Sequence, residues 1–402
     1  MRTRRDVLAA LGVALAGCGS QSGDAGGNES TTPARQTTTP TAATHWYPHP
    51  QPTGNRALDA AGDVRAASPV SLPVEAPDLL VGLPATQGSD WVVVSGDGGA
   101  VRYRVADGEA TQRETYGGLA GRVPVVRQSG GTVSLVRPPG TVSPMAPPVF
   151  SADGRTRLAI GTGGDLLVTR AGDTERVEVG ALPDGRIVRV APDRFALLGG
   201  ATDRYRHRAL GDGIEAGSLL VVDDRGTVEA RHTVDPPAVV EAQAPIAADL
   251  DGDGRRELVV PVSDAADGAR MVAFDAEGSR LATGPVHGSG WRHPLAVAPL
   301  GPDGQPELAV VRKPHVEHVL EFYRLDGATL SVPATLGGFR SHTYGSRNLD
   351  GALAADFDAD GRVEVLVPTT RRTELAAVSR RPDGAAVDWT LALDGELRTN
   401  LA

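Results

Sequence analysis

Four stretches of this chain repeat one pattern, an apolar strand, an Asp-Gly turn and a second apolar strand, at a spacing that few folds accommodate. They are "PPVFSADGRTRLAIGTGG" from 147, "PIAADLDGDGRRELVVPV" from 245, "PLAVAPLGPDGQPELAVVRK" ending at Lys313, and "ALAADFDADGRVEVLVPTT" from 352. Their turn aspartates fall at 153, 253, 303 and 360, close to one period of about 50 residues with a single unit skipped. "APDRFALLGG" at 191–200 fills that gap, keeping the apolar strand without the acidic turn, and fainter copies begin with "APDLLVGLP" at 76 and "GRVPVVRQ" at 121. Each repeat has room for two further strands, as in "RMVAFDAEGSRLATG" after the copy at 253. Four short strands every ~50 residues mark the blades of a β-propeller, whose sheets stack around an axis and whose closure removes the exposed edges. The chain therefore reads as all-β, with about seven four-stranded blades over 66–402. Six or eight blades, a β-solenoid or two sandwiches are the other ways to arrange the same strands.

Composition supports strands over helices. With Gly 50 and Pro 30, no long stretch keeps a 3.6-residue apolar period, and runs such as "WVVVS", "GDLLVTR" and "SLLVV" end in Gly, Asp or Pro. Formal net charge is -10, Lys313 is the single lysine among 40 basic residues, and no basic stripe with interleaved aromatics is visible, which argues against nucleic acid as a partner.

The turns "DLDGDGRREL" and "DFDADGRVEV" place carboxylates at alternate positions followed by a glycine that permits a sharp bend. Ca²⁺ takes six to eight hard oxygens, and acids at positions 1, 3 and 5 of a tight turn converge on one point. Both turns resemble the D-x-D-x-D-G-x-x-[DE] loops of FG-GAP and VCBS repeats, the family of integrin α-subunit propellers. That resemblance implies two structural Ca²⁺ sites: Asp249, Asp251, Asp253, the Arg255 carbonyl and Glu257 in one, and Asp356, Asp358, Asp360, the Arg362 carbonyl and Glu364 in the other. Glu at position 9 departs from the usual Asp of integrins. The turns at 153 and 303 lack ligands and are expected to be metal-free. The family serves adhesion, carbohydrate binding and catalysis alike, so it implies a fold and not an activity.

Arg4 and Arg5 precede an apolar run, Val7 to Ala16, that ends in "LAGC". The run is shorter than the ~20 residues a membrane span needs, and it resembles a twin-arginine export signal joined to a lipoprotein lipobox. On this reading residues 1–17 are the signal peptide, Cys18 carries the lipid, and 18–65 are a disordered Ser/Thr/Gly/Pro-rich tether holding the propeller outside the membrane. Cys18 is the only cysteine, so no intrachain disulfide braces the fold.

If the acidic turns join strands one and two, the strand two-to-three loops and the inter-blade loops gather on the opposite face. Loops carry function more often than frameworks, and these bring together Tyr205, His207, Asp212, Glu215, Trp291, Arg292, His293, Arg312, His315, His318, His342, Arg347 and Asn348. Arg292, His293, His315, His342, Arg347 and Asn348 are placed near the channel mouth, and the basic, imidazole-rich set suits an anionic ligand such as an acidic sugar. Along a strand His315 and His318 would face opposite sides, so joint metal binding by "HVEH" needs a loop. No G-x-S-x-G, H-E-x-x-H, phosphate loop or dinucleotide fingerprint is present. The reading is a membrane-anchored module that binds a glycan, an anionic ligand or a protein partner. The alternative is an extracellular polysaccharide lyase or hydrolase using the histidines of this face with Asp212 or Glu215.

Overall fold

A computed structural model describes residues 52–402 except 75, 76, 97 and 120, together with the backbones of Leu8–Ala10 and Thr44–Tyr47. Cys18, with the other residues of 1–51 apart from those two stretches, lies outside the described residues; Leu8–Ala10 pairs antiparallel with Val70–Leu72. Among the described residues every regular element is a strand, and no helix is long and apolar enough to cross a membrane.

The strands form a seven-bladed β-propeller. Blade 1 spans 77–116, blade 2 125–136, blade 3 149–178, blade 4 188–233, blade 5 246–283, blade 6 292–337 and blade 7 353–392. The Asp-Gly turns sit where the repeat places them, between strands one and two of blades 3, 5, 6 and 7. Second strands are packed on both faces, and Glu257–Asp264 is buried at every position. This explains why the sequence shows apolar runs there instead of alternation.

Adjacent blades share their cores. Leu198, Leu219 and Val221 of blade 4 pack with Val260 and Phe274 of blade 5. Tyr323 of blade 6 joins Val259 and Met271 of blade 5, and Phe322 of blade 6 joins Val365 and Val378 of blade 7. Blade 2 departs from the expected four strands. The Gly/Pro-rich stretch 117–148 holds only Val125–Ser129 and Thr132–Val136, and Thr44–Tyr47 pairs with Val125–Ser129 to make the third.

Residues 52–65, assigned above to the tether, belong to the folded body. This strap crosses the first strands of four consecutive blades. The carbonyls of Pro52, Thr53 and Arg56 accept the N–H groups of Arg189 (2.8 Å), Ala247 (2.9 Å) and Ala354 (2.9 Å), and the Asn55 amide exchanges two 2.8 Å bonds with Val297. Ala57–Ala61 then runs parallel to the first strand of blade 7. The first strands therefore face the axis, and the strap lines it. Gly54 is required there: its φ is +72°, and a Cβ would stand 2.6 Å from the Pro245 oxygen.

Arg56 anchors the strap. It is buried, donates to the Ala352, Asp350 and Leu401 carbonyls, and lies 3.9 Å from the Asp350 carboxylate. Burial lowers its pKa to about 10, opposed by Asp350, so it stays charged at neutral pH. Asn400, beside Leu401, links the ring: its side-chain amide receives the Leu80 N–H (2.8 Å) and donates to the Leu80 carbonyl (2.9 Å), joining the C-terminus to blade 1. An apolar cavity of about 700 Å³, walled by Leu58, Val64, Leu80, Trp91 and Phe357, remains between blades 7 and 1.

Candidate functional site

Backbone geometry builds the acidic turns. In the first, Asp249 receives the N–H groups of Gly252 (2.7 Å) and Gly254 (3.0 Å), Asp251 that of Asp253 and Asp253 that of Arg255. Buried Glu257 receives the Leu250 N–H at 2.6 Å. In the second, Asp356 receives Asp360 and Gly361, and buried Glu364 receives Phe357 at 2.9 Å. Both Asp-Gly glycines have positive φ, near +87° and +85°. Position 4 differs: Gly252 in the first turn becomes Ala359 in the second, held at φ +60° against the preference of a residue with a Cβ.

One carboxylate oxygen each from Asp356, Asp358, Asp360 and Glu364 lies within 4.8 Å of the others, as do those of Asp249, Asp251 and Glu257. Asp253 stands outside its group. Ca²⁺ coordinated at about 2.3–2.6 Å draws its oxygens into such a span. Two buried oxygens in the second turn, Asp358 Oδ1 and Glu364 Oε1, have no hydrogen-bond partner, which fits a hard cation. Burial, then the neighbouring aspartates, pushes Glu364 up to about 7; Glu257 is raised for the same reasons. Two arginines compete for the second turn: Arg65 stands 3.6 Å from Asp358, and Arg362 pairs with Asp360 at 2.5 Å.

The opposite face gathers the loops of blades 4 to 7 around Trp291, buried and donating Nε1–H to the Glu241 carbonyl at 2.8 Å. His293 stacks on it at 4.8 Å. Hydrogen bonding fixes the tautomers. His342 Nε2–H donates to the Ser346 carbonyl (2.7 Å), leaving Nδ1 to accept from His315 Nε2–H (3.2 Å). His315 Nδ1 is then an acceptor, and it is buried with no partner. His293 Nε2–H donates to the Leu349 carbonyl, so Nδ1 accepts the Ser341 hydroxyl. Burial holds His293 well below its ordinary pKa, His342 at about 4 and His315 at about 3. All three are neutral at pH 7.

His207 differs. Its Nδ1–H reaches the buried Glu241 carboxylate at 2.5 Å, which raises its pKa, while the second Glu241 oxygen takes the Ser263 hydroxyl. Tyr205 is buried beside this pair, its phenol pushed up first by burial and then by Glu241.

The basic mouth expected from the sequence is corrected by these contacts. Arg292 is fully buried, bound to the Ala269 carbonyl, Tyr323 and Glu321, and no solvent ligand reaches it. Arg347 is held between Asp184 (3.2 Å) and Asp212 (2.8 Å), and Asn348 bonds the Arg398 carbonyl and the Asp350 N–H. Three imidazoles lose their charge and Arg292 and Arg347 are paired with acids, so the centre of the mouth is acidic, with the exposed Arg204 and Arg208 at its edge. His318, in the 313–318 turn with φ +59°, lies outside the imidazole cluster, and Arg312 pairs with Glu321 and Glu317. Sequence reasoning missed Glu241, Asp184, Ser263 and Tyr344. A glutamate in the apolar stretch "AVVEAQAPI" was the one available signal, since a charge there is costly unless paired.

Similar architecture occurs in distant solved structures. BamB from Moraxella catarrhalis aligns at TM-score 0.40 and 11% identity over 82% of this chain and 79% of its own. The β-propeller domain of Myceliophteria thermophila Cps50 (Swd1) aligns at 0.43 and 12% over 81% and 88%. BBS1N, solved in complex with ARL6DN, aligns at 0.40 and 14% over 82% and 95%. These likenesses are too remote to bear on function. No protein family and no curated protein matches the sequence.

Proposed function

We propose that this chain is an exported, lipid-anchored propeller, stabilised by calcium in its two acidic turns, that binds a ligand or partner through the loop face opposite them. Export and anchoring rest on the twin arginines and Cys18, and the calcium reading on the two FG-GAP/VCBS-like turns and the orphaned carboxylate oxygens of the second. When bound, Ca²⁺ would neutralise the crowded acids and pin strands one and two of blades 5 and 7. Asp356, Asp358, Asp360 and Glu364 would hold one ion, and Asp249, Asp251 and Glu257 the other; Asp253 and the Arg255 and Arg362 carbonyls are the further donors the resemblance implies.

One observation carries the binding role: exposed apolar side chains surround a rigid polar centre. Tyr344 (55% exposed) packs edge-on to His315 at 5.3 Å, Val316 (75%) adjoins His315, and Ile214 (38%) adjoins Glu215. Exposed apolar groups beside fixed acceptors are what a binding surface offers. The test is a thermal-shift panel of acidic sugars, neutral oligosaccharides, amines and peptides in saturating calcium. A ligand that shifts the wild type and Asp251→Asn but not Tyr344→Ala/Val316→Ser supports the reading. A panel without hits, or hits indifferent to the loop-face changes, overturns it.

A second reading, hydrolase or lyase, rests on His207, whose Nδ1–H is fixed by buried Glu241, leaving Nε2 as the base. It requires turnover of a panel sugar that His207→Gln abolishes.

A further inference from the structure

The carboxylates of the loop face point to the chemical class of its ligand, an inference that rests on the binding role proposed for that face. The connecting pair Val239–Val240 joins blade 4 to blade 5 by pairing with both: Val240 faces Ala216 antiparallel on one side and Val262 on the other. That register sets Glu215 directly opposite Glu241. Both are buried, at 2% and 0% exposure, and like charges placed opposite each other destabilise a sheet.

Only one member of the pair is compensated. Glu241 receives His207 and Ser263. Among the described residues no hydrogen bond or cation reaches the Glu215 carboxyl, and the charges acting on it are Glu241, Asp212 and Asp184, with burial raising its pKa to about 9. Asp184 and Asp212 share a single arginine, Arg347, whose side chain is 37% exposed. Four carboxyl groups, Glu215, Glu241, Asp212 and Asp184, thus meet Arg347 and His207 here, with Arg204 and Arg208 beside Gly217 and Gly213 at the edge of the cluster. A buried carboxylate without a counter-charge is costly to keep, so at neutral pH Glu215 holds its proton; Ile214, next to it in the chain, and Tyr344, whose hydroxyl donates to the His207 carbonyl at 3.2 Å, are exposed apolar groups of the same face.

We infer that the loop face binds a primary ammonium, seated on Glu215 beside Glu241 and Asp212, with its carbon chain against Ile214 and Tyr344. An ammonium brings one compact positive charge and three N–H donors; as it seats, the Glu215 proton leaves to the solvent buffer and the carboxylate that remains is paired. A free polyamine and a lysine side chain of a partner protein share that chemistry.

The experiment is titration calorimetry with spermidine and, separately, with an oligolysine peptide. Calcium is kept saturating so that the acidic turns do not compete, and salt is fixed. Spermidine affinity is expected to fall about tenfold or more in Glu215→Gln, as a charge-assisted hydrogen bond warrants, and to persist in Glu109→Gln, which makes the same substitution on an exposed strand of blade 1. If Glu215→Gln fails to fold, Asp212→Asn, on the open side of the same cluster, serves with the same expectation. Binding of the peptide alone, lost in Glu215→Gln, assigns the ammonium to a protein partner; binding of spermidine assigns it to a free amine. Equal losses in Glu215→Gln and Glu109→Gln, or no amine binding, overturn the inference. If an acidic or neutral sugar binds and is lost only in Tyr344→Ala/Val316→Ser, the loop-face reading stands and the ammonium falls. If nothing binds that face, both fall.

Discussion

Carboxylates crowd at both ends of this propeller, but their partners come from very different distances along the chain. In the acidic turns the N–H donors stand two to seven residues from the acids they serve. At the loop face the side-chain partners of Asp184, Asp212 and Glu241 are 22 to 163 residues away. A turn closed by its own backbone forms wherever its two strands pair. The acidic mouth exists only once blades 4 to 7 have been brought round the axis, and it inherits whatever holds the ring together.

The largest expected effect comes from breaking that dependence at Arg56. Arg56→Ala removes the donors to three carbonyls and takes one arginine from the buried Asp350 carboxylate, a loss of about 3 kcal/mol for a broken buried pair. Denaturant titration should show it, while calcium affinity of the first turn stays unchanged. Unchanged stability would mean that the strap does not secure the ring.

Chelation attacks the other end. Passing from calcium at a hundredfold excess over Kd to excess chelator should cost about 2.7 kcal/mol per site, read as a fall in Tm that Asp251→Asn and Asp358→Asn each reduce. A Tm indifferent to chelator would remove calcium from both turns.

The pH dependence separates the ends further. A carboxyl whose folded pKa is raised binds its proton more tightly in the native state than in the unfolded chain. Its contribution is fully present below the unfolded pKa and is lost as pH rises through the folded value. For Glu215, moved from 4.5 to about 9, stability should decline steadily between about pH 5 and 9. Glu215→Gln should flatten that decline in saturating calcium; a slope unaltered by the substitution would locate the titration elsewhere.

The smallest effect contrasts the two turns. Arg65 and Arg362 lean on the second turn, whereas none of the described arginines pairs with the acids of the first. Removing an exposed competitor with Arg65→Ala should raise calcium affinity of the second turn about two- to fivefold and leave the first unchanged, as calorimetry on the Asp251→Asn background would resolve.

Much of the architecture was legible because a blade is a local object. The Asp-Gly turns at 153, 253, 303 and 360, the unmarked unit at 191–200 and the placement of loops opposite the acidic turns all follow from a period of about 50 residues. The strap was not legible. "PTGNRALDAAG" has no strand run, and its order comes from N–H groups that inner strands of four other blades offer. Blade 2 failed as a four-stranded unit because its third strand lies some eighty residues upstream. His207 and Tyr205 were found as candidates, but the sign of the charge around them was misread, since pairing and burial decide whether an arginine or an imidazole carries charge outward.

The sequence by itself determined the repeated strands, the bend at each glycine and the clustering of acids in two turns, because short apolar runs, backbone conformation and short-range hydrogen bonds act within about ten residues. Only the tertiary structure decided that Glu215 faces Glu241, that Arg292 is sealed inside and that the strap closes the ring. Those outcomes depend on which distant segments share a low-dielectric interior, and no local pattern records that.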